Sequence, residues 1–280
     1  MIEEQEMGVS FLTFPNLSGF LGVKHGIFTR HTGKSTGPYQ SLNVSFDVGD
    51  SDHHVIQNRK IIARCIEGND LVFMDQVHGP RVMVITKDNK IYPSCDTDAS
   101  NENDHLKRSN EPIGGFDADA ERELVGDALV TNVPNKFLVV QIADCQSILF
   151  YDPVRQVVAN VHSGWRGSIN NIIGRTLNVM ADCFGCLASD IISGISPSLG
   201  PCCSEFVNYR EEIPEEYWKY KDDNSHFDFW SISLDQLCQA GVLIENVSSS
   251  RICTKCDVDR FFSFRGESTT GRFATLIGLS

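Results

Sequence analysis

Four short apolar segments follow one another closely in the middle of this 280-residue chain, and no other feature constrains its fold as strongly. They occupy residues 128–131, 137–142, 147–151 and 156–161. Turn-forming sequences, among them Asp152-Pro153, separate them. Apolar runs of this length between turns are typical of β-strands rather than helices. The centre of the chain is therefore predicted to be a closely spaced series of strands.

Further strands and a smaller number of helices flank this series. A helix is predicted near residues 52–67 from its three- and four-residue apolar spacing, and a second helix is predicted to begin with Ser168 as its N-cap. Other helical stretches are predicted near 203–220 and 233–241, and other strands at 20–29, 71–74, 81–86, 191–195, 246–252, 261–264 and 273–279. A strand-rich chain with few helices favours a layered α+β fold over a doubly wound array. Because the sequence has neither an internal repeat nor a long linker, residues 1–280 are predicted to form a single domain.

Composition excludes several classes of protein. Hydrophobic residues make up 41% of the chain and charged residues 22%, which is ordinary for a globular protein and excludes a long disordered chain. Apolar runs stay short of the roughly 18–20 residues that a membrane helix needs, and the first twenty residues lack the features of a signal peptide. A formal charge of −13 opposes binding to nucleic acids or anionic lipids. These features predict a cytoplasmic protein without nucleic-acid or membrane partners.

Residues 91–123 hold nine acidic and three basic side chains, which is typical of a solvated loop. We expect this segment to be an acidic insertion in the domain. The chain also has ten cysteines. In a cytoplasmic protein cysteines stay reduced, so metal binding or catalysis is a better explanation for them than a disulfide framework.

Four polar side chains stand at the ends of apolar segments or in the turns between them. Asp144 and Cys145 end one run, His162 ends the next, and His78 lies in a glycine-containing turn between two predicted strands. Taken one at a time, each has an ordinary structural explanation. If they converge, two imidazoles and one thiolate suit Zn²⁺ and leave its fourth position open. Without a metal, Cys145 and His162 could form the thiolate–imidazole pair of a cysteine hydrolase.

The segment after His162 has features of an anion site. Gly164 and Gly167 permit close approach to the backbone, and Arg166 offers a planar guanidinium. The start of the following helix supplies free N–H groups. A plain helix start with Trp165 in the core explains the same residues, and the sequence leaves both interpretations open.

Two C-x₂-C pairs suggest a structural zinc site only weakly. Cys183 and Cys186 form one pair, Cys253 and Cys256 form the other, and 66 residues separate them. Zinc ribbons usually separate their pairs by about 15–20 residues. The adjacent Cys202 and Cys203 are interpreted as the start of a helix, so the sequence leaves open which cysteines meet.

Several of these segments closely resemble the YfiH family. Its members are also described as multicopper polyphenol oxidase laccase-like, laccase domain-containing or peptidoglycan editing factor proteins. The matching strings are Gln76-Val77-His78-Gly79, Ala143-Asp144-Cys145, His162-Ser163-Gly164-Trp165-Arg166-Gly167, Gly200-Pro201-Cys202-Cys203 and Phe261-Phe262-Ser263-Phe264-Arg265. The resemblance runs from about residue 20 to 279, apart from the acidic insertion. Ser147 and Ser163 stand where the family usually has other residues, which bears on substrate preference and leaves the metal ligands intact.

The resemblance implies an α/β/β/α sandwich of mixed sheets with one zinc ion held by His78, Cys145 and His162. It also implies phosphorolysis of purine nucleosides (adenosine, inosine, guanosine and methylthioadenosine) and deamination of adenosine. In this hypothesis Asp144 is a candidate proton carrier beside the metal. The partners are then a nucleoside and inorganic phosphate.

Residue type and motif membership suggest the groups that bind these partners. Arg30 and Arg166 are predicted to hold phosphate, and Asn43 and Gln76 to bind sugar hydroxyls. Three alternatives remain: an amide hydrolase that uses zinc or Cys145, a non-catalytic metal-binding module, and a polyphenol oxidase with bound copper. A multicopper laccase needs about ten histidines, largely in His-x-His pairs, to hold its copper ions. This chain has eight histidines and no His-x-His pair, so copper is the weaker expectation.

Overall fold

Two β-sheets form the centre of the fold. The computed structural model describes residues 1–68, 70–87, 91–93 and 124–280. Within these residues the strands are β1 (Ile2–Glu6), β2 (Val9–Thr13), β3 (Val23–Phe28), β4 (Asp70–Val72), β5 (Val82–Ile85), β6 (Ile91–Pro93), β7 (Ala128–Thr131), β8 (Lys136–Ile142), β9 (Gln146–Asp152), β10 (Val157–Ser163), β11 (Ile192–Ile195), β12 (Val247–Ser249) and β13 (Phe273–Leu279). The first sheet has the order β1-β2-β3-β13-β8-β4, and the second has the order β12-β11-β9-β10-β7-β5-β6.

Both sheets mix parallel and antiparallel pairs. In the first sheet β4 runs parallel to β8, whereas β13 is antiparallel to both of its neighbours. In the second sheet β5 is parallel to β7, and β9 is antiparallel to β10 and β11. The chain crosses from the first sheet to the second between β8 and β9, through residues 143–145. This crossover places Asp144 and Cys145 where the two sheets meet.

The described helices pack around the two sheets, and the first of them contributes Leu17 to the core between the sheets. They are α1 (Pro15–Ser18), α2 (Asp52–Cys65), α3 (Trp165–Ile169), α4 (Ile172–Phe184), α5 (Tyr209–Glu212), α6 (Phe229–Gln239) and α7 (Phe264–Glu267). Short 3₁₀ segments occupy Gly37–Tyr39, Ala188–Asp190, Glu215–Tyr220 and Ile244–Asn246. None of the helices in the described part of the chain is both long and apolar enough to span a bilayer.

Three apolar cores separate the layers. One core lies between the sheets and includes Leu138 and Leu149. A second packs the other face of the second sheet against α4, and a third packs the first sheet against α2. Every residue of β8, β9 and β10 is buried, as expected for strands that are covered on both faces. The predicted α/β/β/α sandwich of mixed sheets is confirmed.

The helix predicted to begin at Ser168 is divided into two. Helix α3 ends at Ile169, and Asn171 adopts a left-handed backbone conformation with φ of 51°. The Asn171 side chain accepts a hydrogen bond from the Gly174 N–H, so Asn171 and not Ser168 is the N-cap of α4. Helix α4 buries one apolar face, which includes Ile172, Ile173 and Met180.

Other differences lie where the sequence pattern is weak. The segment 261–264 was predicted to be a strand, but it forms a bend that leads into α7, and the N-terminal strands β1 and β2 were not predicted. Cys202 and Cys203 lie in a turn, and the next helix begins only at Tyr209. Of the predicted insertion 91–123, residues 91–93 form β6, and residues 94–123 lie outside the described part of the chain.

Candidate functional site

Three predicted metal ligands meet at the crossover between the sheets. Cys145 precedes β9, His162 lies near the end of β10, and His78 lies in the loop between β4 and β5. Their ligand atoms all lie within 4.8 Å of one another. Cys145 Sγ is 3.9 Å from His78 Nε2, and the two imidazole rings meet edge to face with centroids 4.8 Å apart. Strands that are distant in sequence therefore bring these side chains together.

The donor set and its spacing fit a tetrahedral metal ion. Bonds of about 2.0–2.3 Å to nitrogen and sulfur place tetrahedral ligand atoms about 3.3–3.8 Å apart. The observed separation of 3.9 Å between Cys145 Sγ and His78 Nε2 is close to this range. The set contains three protein ligands, and His78 is exposed whereas His162 is buried. Such a site has room for a fourth ligand on its open side.

Asp127 fixes both histidines, and sequence reasoning missed it. Its carboxylate is fully buried and lies 2.8 Å from His162 Nδ1. The same carboxylate accepts hydrogen bonds from the backbone N–H groups of His78 and Gly79, at 2.8 and 2.7 Å. Because an ionised carboxylate only accepts, Nδ1 of His162 carries the proton and Nε2 is left as the metal-binding atom. A buried Asp directly before β7 was the available sequence signal.

Gly164 allows the three ligands to approach one another. A Cβ atom at this position would lie 3.0 Å from His78 Cδ2 and 3.1 Å from Cys145 Sγ. These separations are too short for a relaxed side-chain contact, so a larger residue would displace a ligand. Gly164, the first glycine of the His-Ser-Gly-Trp-Arg-Gly segment, thus leaves the space in which His78 and Cys145 come together.

The electrostatics favour a thiolate at Cys145. Burial opposes ionisation, but the neighbouring charge of His162 and hydrogen bonds from both histidines lower the pKa of Cys145 to about 6. At His162 burial again opposes the charged form, but Cys145 and the Asp127 carboxylate raise its pKa to about 9. The thiolate is the form of cysteine that binds metals. His162 Nε2 would have to lose its proton to bind a metal ion.

Asp144 holds the turn that presents Cys145. Its backbone is in the left-handed region, with φ of 86°, which is unusual for a residue other than glycine. Oδ1 accepts hydrogen bonds from the hydroxyls of Thr254 and Ser263, and Oδ2 accepts one from the backbone N–H of Arg265. These three contacts favour a positioning role for Asp144, and its role as a proton carrier stays a prediction.

A cavity of about 470 Å³ opens beside the three ligands. The side chains of Arg265 and Arg272 contribute to its wall. Arg272 donates hydrogen bonds to the backbone carbonyls of Thr270 and Gly271, which hold the guanidinium in place. The aromatic residues that line the cavity are Trp165, Phe206, Phe229 and Phe264. The cavity therefore combines ring faces, cationic groups and a candidate metal centre.

The four predicted substrate-binding residues have other contacts. Arg30 pairs with Glu267 at 2.9 Å and donates to the carbonyls of Gln40 and Val258. The fully buried amide of Asn43 is engaged within its own loop and by the N–H of Arg272.

Gln76 does lie in the cavity wall, but both atoms of its amide pair with the backbone of Gln141. Arg166 is exposed, and its guanidinium lies over the ring of Trp165. Of the four residues only Gln76 lines the cavity. The arginines that line the cavity are Arg265 and Arg272, not Arg30 and Arg166.

The chain is similar to proteins of one family along most of its length. Residues 24–280 match the family model described as multi-copper polyphenol oxidoreductase laccase. The protein named purine nucleoside phosphorylase YlmD of Geobacillus stearothermophilus is 29% identical over 92% of this chain and 91% of its own length. The protein named purine nucleoside phosphorylase YfiH of Escherichia coli strain K12 is also 29% identical, over 92% of this chain and 94% of its own.

Solved structures agree with these matches. The crystal structure of YlmD from Geobacillus stearothermophilus superposes with a TM-score of 0.80 at 29% identity and covers 99% of this chain and 98% of that one. A hypothetical YfiH protein of Bacillus licheniformis superposes with a TM-score of 0.76 at 28% identity, over 92% and 93% of the two chains. The resemblance to the YfiH proteins and the predicted fold are both confirmed.

Proposed function

The chain belongs to the family described as multi-copper polyphenol oxidoreductase laccase, and we propose that within this family it is a zinc-dependent purine nucleoside phosphorylase. Its proposed substrates are adenosine, inosine, guanosine and methylthioadenosine, and adenosine deamination is a proposed second activity. One observation carries the proposal: the three ligand atoms of His78, Cys145 and His162 lie together at the side of a cavity lined with aromatic rings. Relatives that carry the name purine nucleoside phosphorylase support it.

The cavity has the size and lining that a nucleoside needs. Small-molecule sites occupy about 300–1,000 Å³, and the volume of about 470 Å³ falls within this range. A purine ring can stack on Phe206, Phe229 or Phe264, because offset and edge-to-face arrangements of aromatic rings are favourable. Stacking of this kind recognises the ring system and tolerates different substituents on it. A panel of purine nucleosides, rather than one of them, is therefore the proposed substrate class.

Arg265 and Arg272 are the proposed phosphate ligands. A guanidinium binds phosphate oxygens through two parallel N–H groups. Burial lowers the pKa of Arg272, but arginine remains a cation at neutral pH. During phosphorolysis a phosphate oxygen forms a bond to C1′ of the ribose while the bond from C1′ to the purine nitrogen breaks. The purine nitrogen takes up the proton that hydrogen phosphate gives up. The products are the free purine base and ribose 1-phosphate, or 5-methylthioribose 1-phosphate in the case of methylthioadenosine.

The zinc ion would be held by His78, Cys145 and His162. The Asp127 carboxylate orients both histidines through its hydrogen bonds with the His78 backbone N–H and with His162 Nδ1. A zinc ion bound there would supply a Lewis acid next to the substrate cavity. The hydrogen bonds of the Asp144 carboxylate hold the left-handed backbone of Asp144 and so position Cys145, the next residue. Trp165 and the phenylalanines of the cavity exclude water from one side of the substrate.

Copper chemistry of the laccase kind fits these residues less well than zinc. A three-copper cluster and a type-1 copper together need about ten histidines. The sequence has eight, and the described metal-competent groups include just two of them, His78 and His162. A mononuclear site is what the described residues support.

Product analysis with and without phosphate tests the proposal. Zinc-loaded protein is incubated with each nucleoside, and bases, ribose 1-phosphate and inosine are separated by chromatography. We expect phosphate-dependent release of the base, formation of inosine from adenosine in either condition, and loss of both activities with a chelator or with Cys145→Ala. Unchanged turnover by the folded, zinc-free Cys145→Ala variant would contradict the metal role. Activity that persists in chelator but needs the thiol would indicate a cysteine hydrolase instead.

The phosphate ligands have their own test. Arg272→Gln removes a cationic group of the cavity wall, so we expect the KM for phosphate to rise by about tenfold, which corresponds to about 1.4 kcal/mol. Arg166→Gln is the matched control, because Arg166 is exposed and does not line the cavity. Equal effects of the two substitutions would contradict the assignment.

A further inference from the structure

A second group of metal-competent side chains lies on the surface next to the crossover turn. It consists of Cys202, Cys203, Cys253 and Cys256, and we refer to it as the four-cysteine cluster. Its four sulfur atoms all lie within 4.8 Å of one another. Cys202 Sγ and Cys203 Sγ are each 3.6 Å from Cys256 Sγ. Two loops about fifty residues apart in sequence thus place four thiols around one point.

The spacing of the sulfurs matches a tetrahedral tetrathiolate site. Zinc–sulfur bonds of about 2.3 Å separate the sulfurs of such a site by about 3.8 Å. Disulfide-bonded sulfurs lie at about 2.05 Å, much closer than the two distances in the cluster. Of the two C-x₂-C pairs considered in the sequence, Cys253 and Cys256 belong to this group, and Cys183 and Cys186 do not.

Backbone groups are aimed at one of the sulfurs. The N–H of Gly200 donates to Cys253 Sγ at 3.3 Å, and the N–H of Cys256 also bonds to this sulfur. Hydrogen bonds from N–H groups stabilise the charge of a metal-bound thiolate. A Cβ atom on Gly200 would lie 2.7 Å from the ring of Trp230 and 3.1 Å from Cys253 Cβ. Glycine is therefore needed at position 200 for this approach.

We propose that the four-cysteine cluster binds a second zinc ion, in a closed site in which all four ligands are thiolates from the protein. Four protein ligands leave no position for water or substrate, which is typical of structural zinc. The site goes beyond the nucleoside chemistry proposed above and does not depend on it. Cys202 and Cys256 are exposed, so an ion can enter from solvent.

The second zinc would tie together the two loops that hold Asp144. On one loop the N–H of Leu199 donates to the carbonyl of Asp144 at 2.8 Å. On the other loop the hydroxyl of Thr254, the neighbour of Cys253, donates to its carboxylate at 2.7 Å. Because Asp144 precedes Cys145 and has a left-handed backbone, its turn depends on contacts of this kind. A zinc ion in the four-cysteine cluster would thereby stabilise the Asp144 turn, which positions Cys145 in the three-ligand centre.

Zinc stoichiometry tests the proposal without any activity assay. Full-length protein is produced with added zinc, purified under reducing conditions and analysed by mass spectrometry of the metals. We expect two zinc ions per chain in the natural sequence and one in Cys203→Ser, in Cys256→Ser and in Cys145→Ala. Cys183→Ser is the matched control, because this exposed cysteine belongs to neither group, and it should retain two.

Other outcomes overturn the proposal. The proposal fails if the natural sequence holds a single zinc that Cys145→Ala removes, if Cys203→Ser leaves the zinc content unchanged, or if stoichiometric iron replaces zinc. A single zinc that Cys203→Ser removes and Cys145→Ala retains would support the four-cysteine cluster and contradict the three-ligand centre. A mass two units lower for each pair of these cysteines, from protein kept under reducing conditions, would show disulfides instead. If the serine variants do not fold, cobalt-loaded Cys145→Ala protein provides the measurement. Its sulfur-to-cobalt charge-transfer absorption should have the intensity of four thiolates, and its absence contradicts the site.

Discussion

The three-ligand centre and the four-cysteine cluster lie on either side of Asp144 and are constructed in opposite ways. The three-ligand centre takes its ligands from the ends of central strands and adjoining turns, is supported by the buried Asp127, and faces a cavity. The four-cysteine cluster takes its ligands from two surface loops, and two of its thiols are exposed. The number of protein ligands separates their chemistry, because three leave an open position and four do not. The same metal can thus serve catalysis at one site and stability at the other.

The largest expected effect is a loss of activity at the three-ligand centre, compared with a loss of thermal stability at the four-cysteine cluster. Cys145→Ala should lower kcat/KM for nucleosides by about a thousandfold or more, because a Lewis acid contributes several kcal/mol and each 1.36 kcal/mol is tenfold. Its Tm should change little. Cys256→Ser should instead lower Tm by several degrees and activity by a smaller factor, because it loosens a loop. Turnover assays and calorimetry measure both quantities. If the two variants lose activity and stability in the same proportion, the distinction fails.

A substitution at Asp127 tests whether zinc affinity at the three-ligand centre can be lowered without affecting the four-cysteine cluster. Asp127→Asn weakens the acceptor that holds His162 and the His78 turn, so zinc affinity at the three-ligand centre should fall by about 10- to 100-fold. The four-cysteine cluster should keep its zinc, and competition with a chelating dye resolves the two ions. Asp152→Asn is the matched control, because Asp152 is also fully buried but bonds to the turn at the far end of β9. Equal loss of affinity in both variants would show a general effect of burial.

Two glycines sharpen the comparison further. Gly164→Ala should weaken zinc binding at the three-ligand centre, and Gly200→Ala should weaken it at the four-cysteine cluster, because each added methyl meets a ligand side chain. Overpacking of this kind costs about 1–3 kcal/mol, so each affinity should fall by about tenfold. In Gly167→Ala the methyl finds an ordinary contact at 3.4 Å, and both affinities should be unchanged. A variant that affects the other site instead would contradict the assignment.

The smallest effect concerns the metal-free protein. The pKa of Cys145 is lowered to about 6, whereas burial and the neighbouring thiols raise that of Cys203 to about 11. Lowering a thiol pKa extends the thiolate to lower pH, so alkylation of Cys145 should rise about tenfold from pH 5 to pH 7 and then level off. Alkylation of Cys203 should keep rising well above pH 9. Peptide mass spectrometry of iodoacetamide-treated protein measures both rates, and identical pH profiles would refute the difference.

Much of the fold follows from local pattern. The segments 128–131, 137–142, 147–151 and 156–161 became β7 to β10 with ends that differ by at most two residues, because short apolar runs between turns have few alternatives. The helix predicted near 52–67 is α2. Local pattern failed at Ser168, where Asn171 caps the helix, and at 261–264, where an aromatic run bends into α7.

The candidate sites also contain some residues that the sequence indicates and others that it does not. Cys145 and His162 stand out because each ends an apolar run, and His78 stands out because it lies in a turn between two strands. The resemblance to the YfiH family is what grouped the three as ligands of one metal. Asn43 and Arg30 could not be placed, because residue type does not say whether an amide or a guanidinium faces a cavity or its own backbone. The meeting of Cys202 and Cys203 with the Cys253–Cys256 loop depends on tertiary packing, and no spacing in the chain indicates it.

Anomalous X-ray diffraction at the zinc edge, on crystals of the zinc-loaded protein, tests the central claim most directly. The account predicts two peaks per chain. One lies among His78, Cys145 and His162 with a fourth ligand that does not come from the protein, and the other lies among four cysteine sulfurs with no further ligand. A fourth protein ligand at the first peak, or no peak beside the cavity, would contradict it.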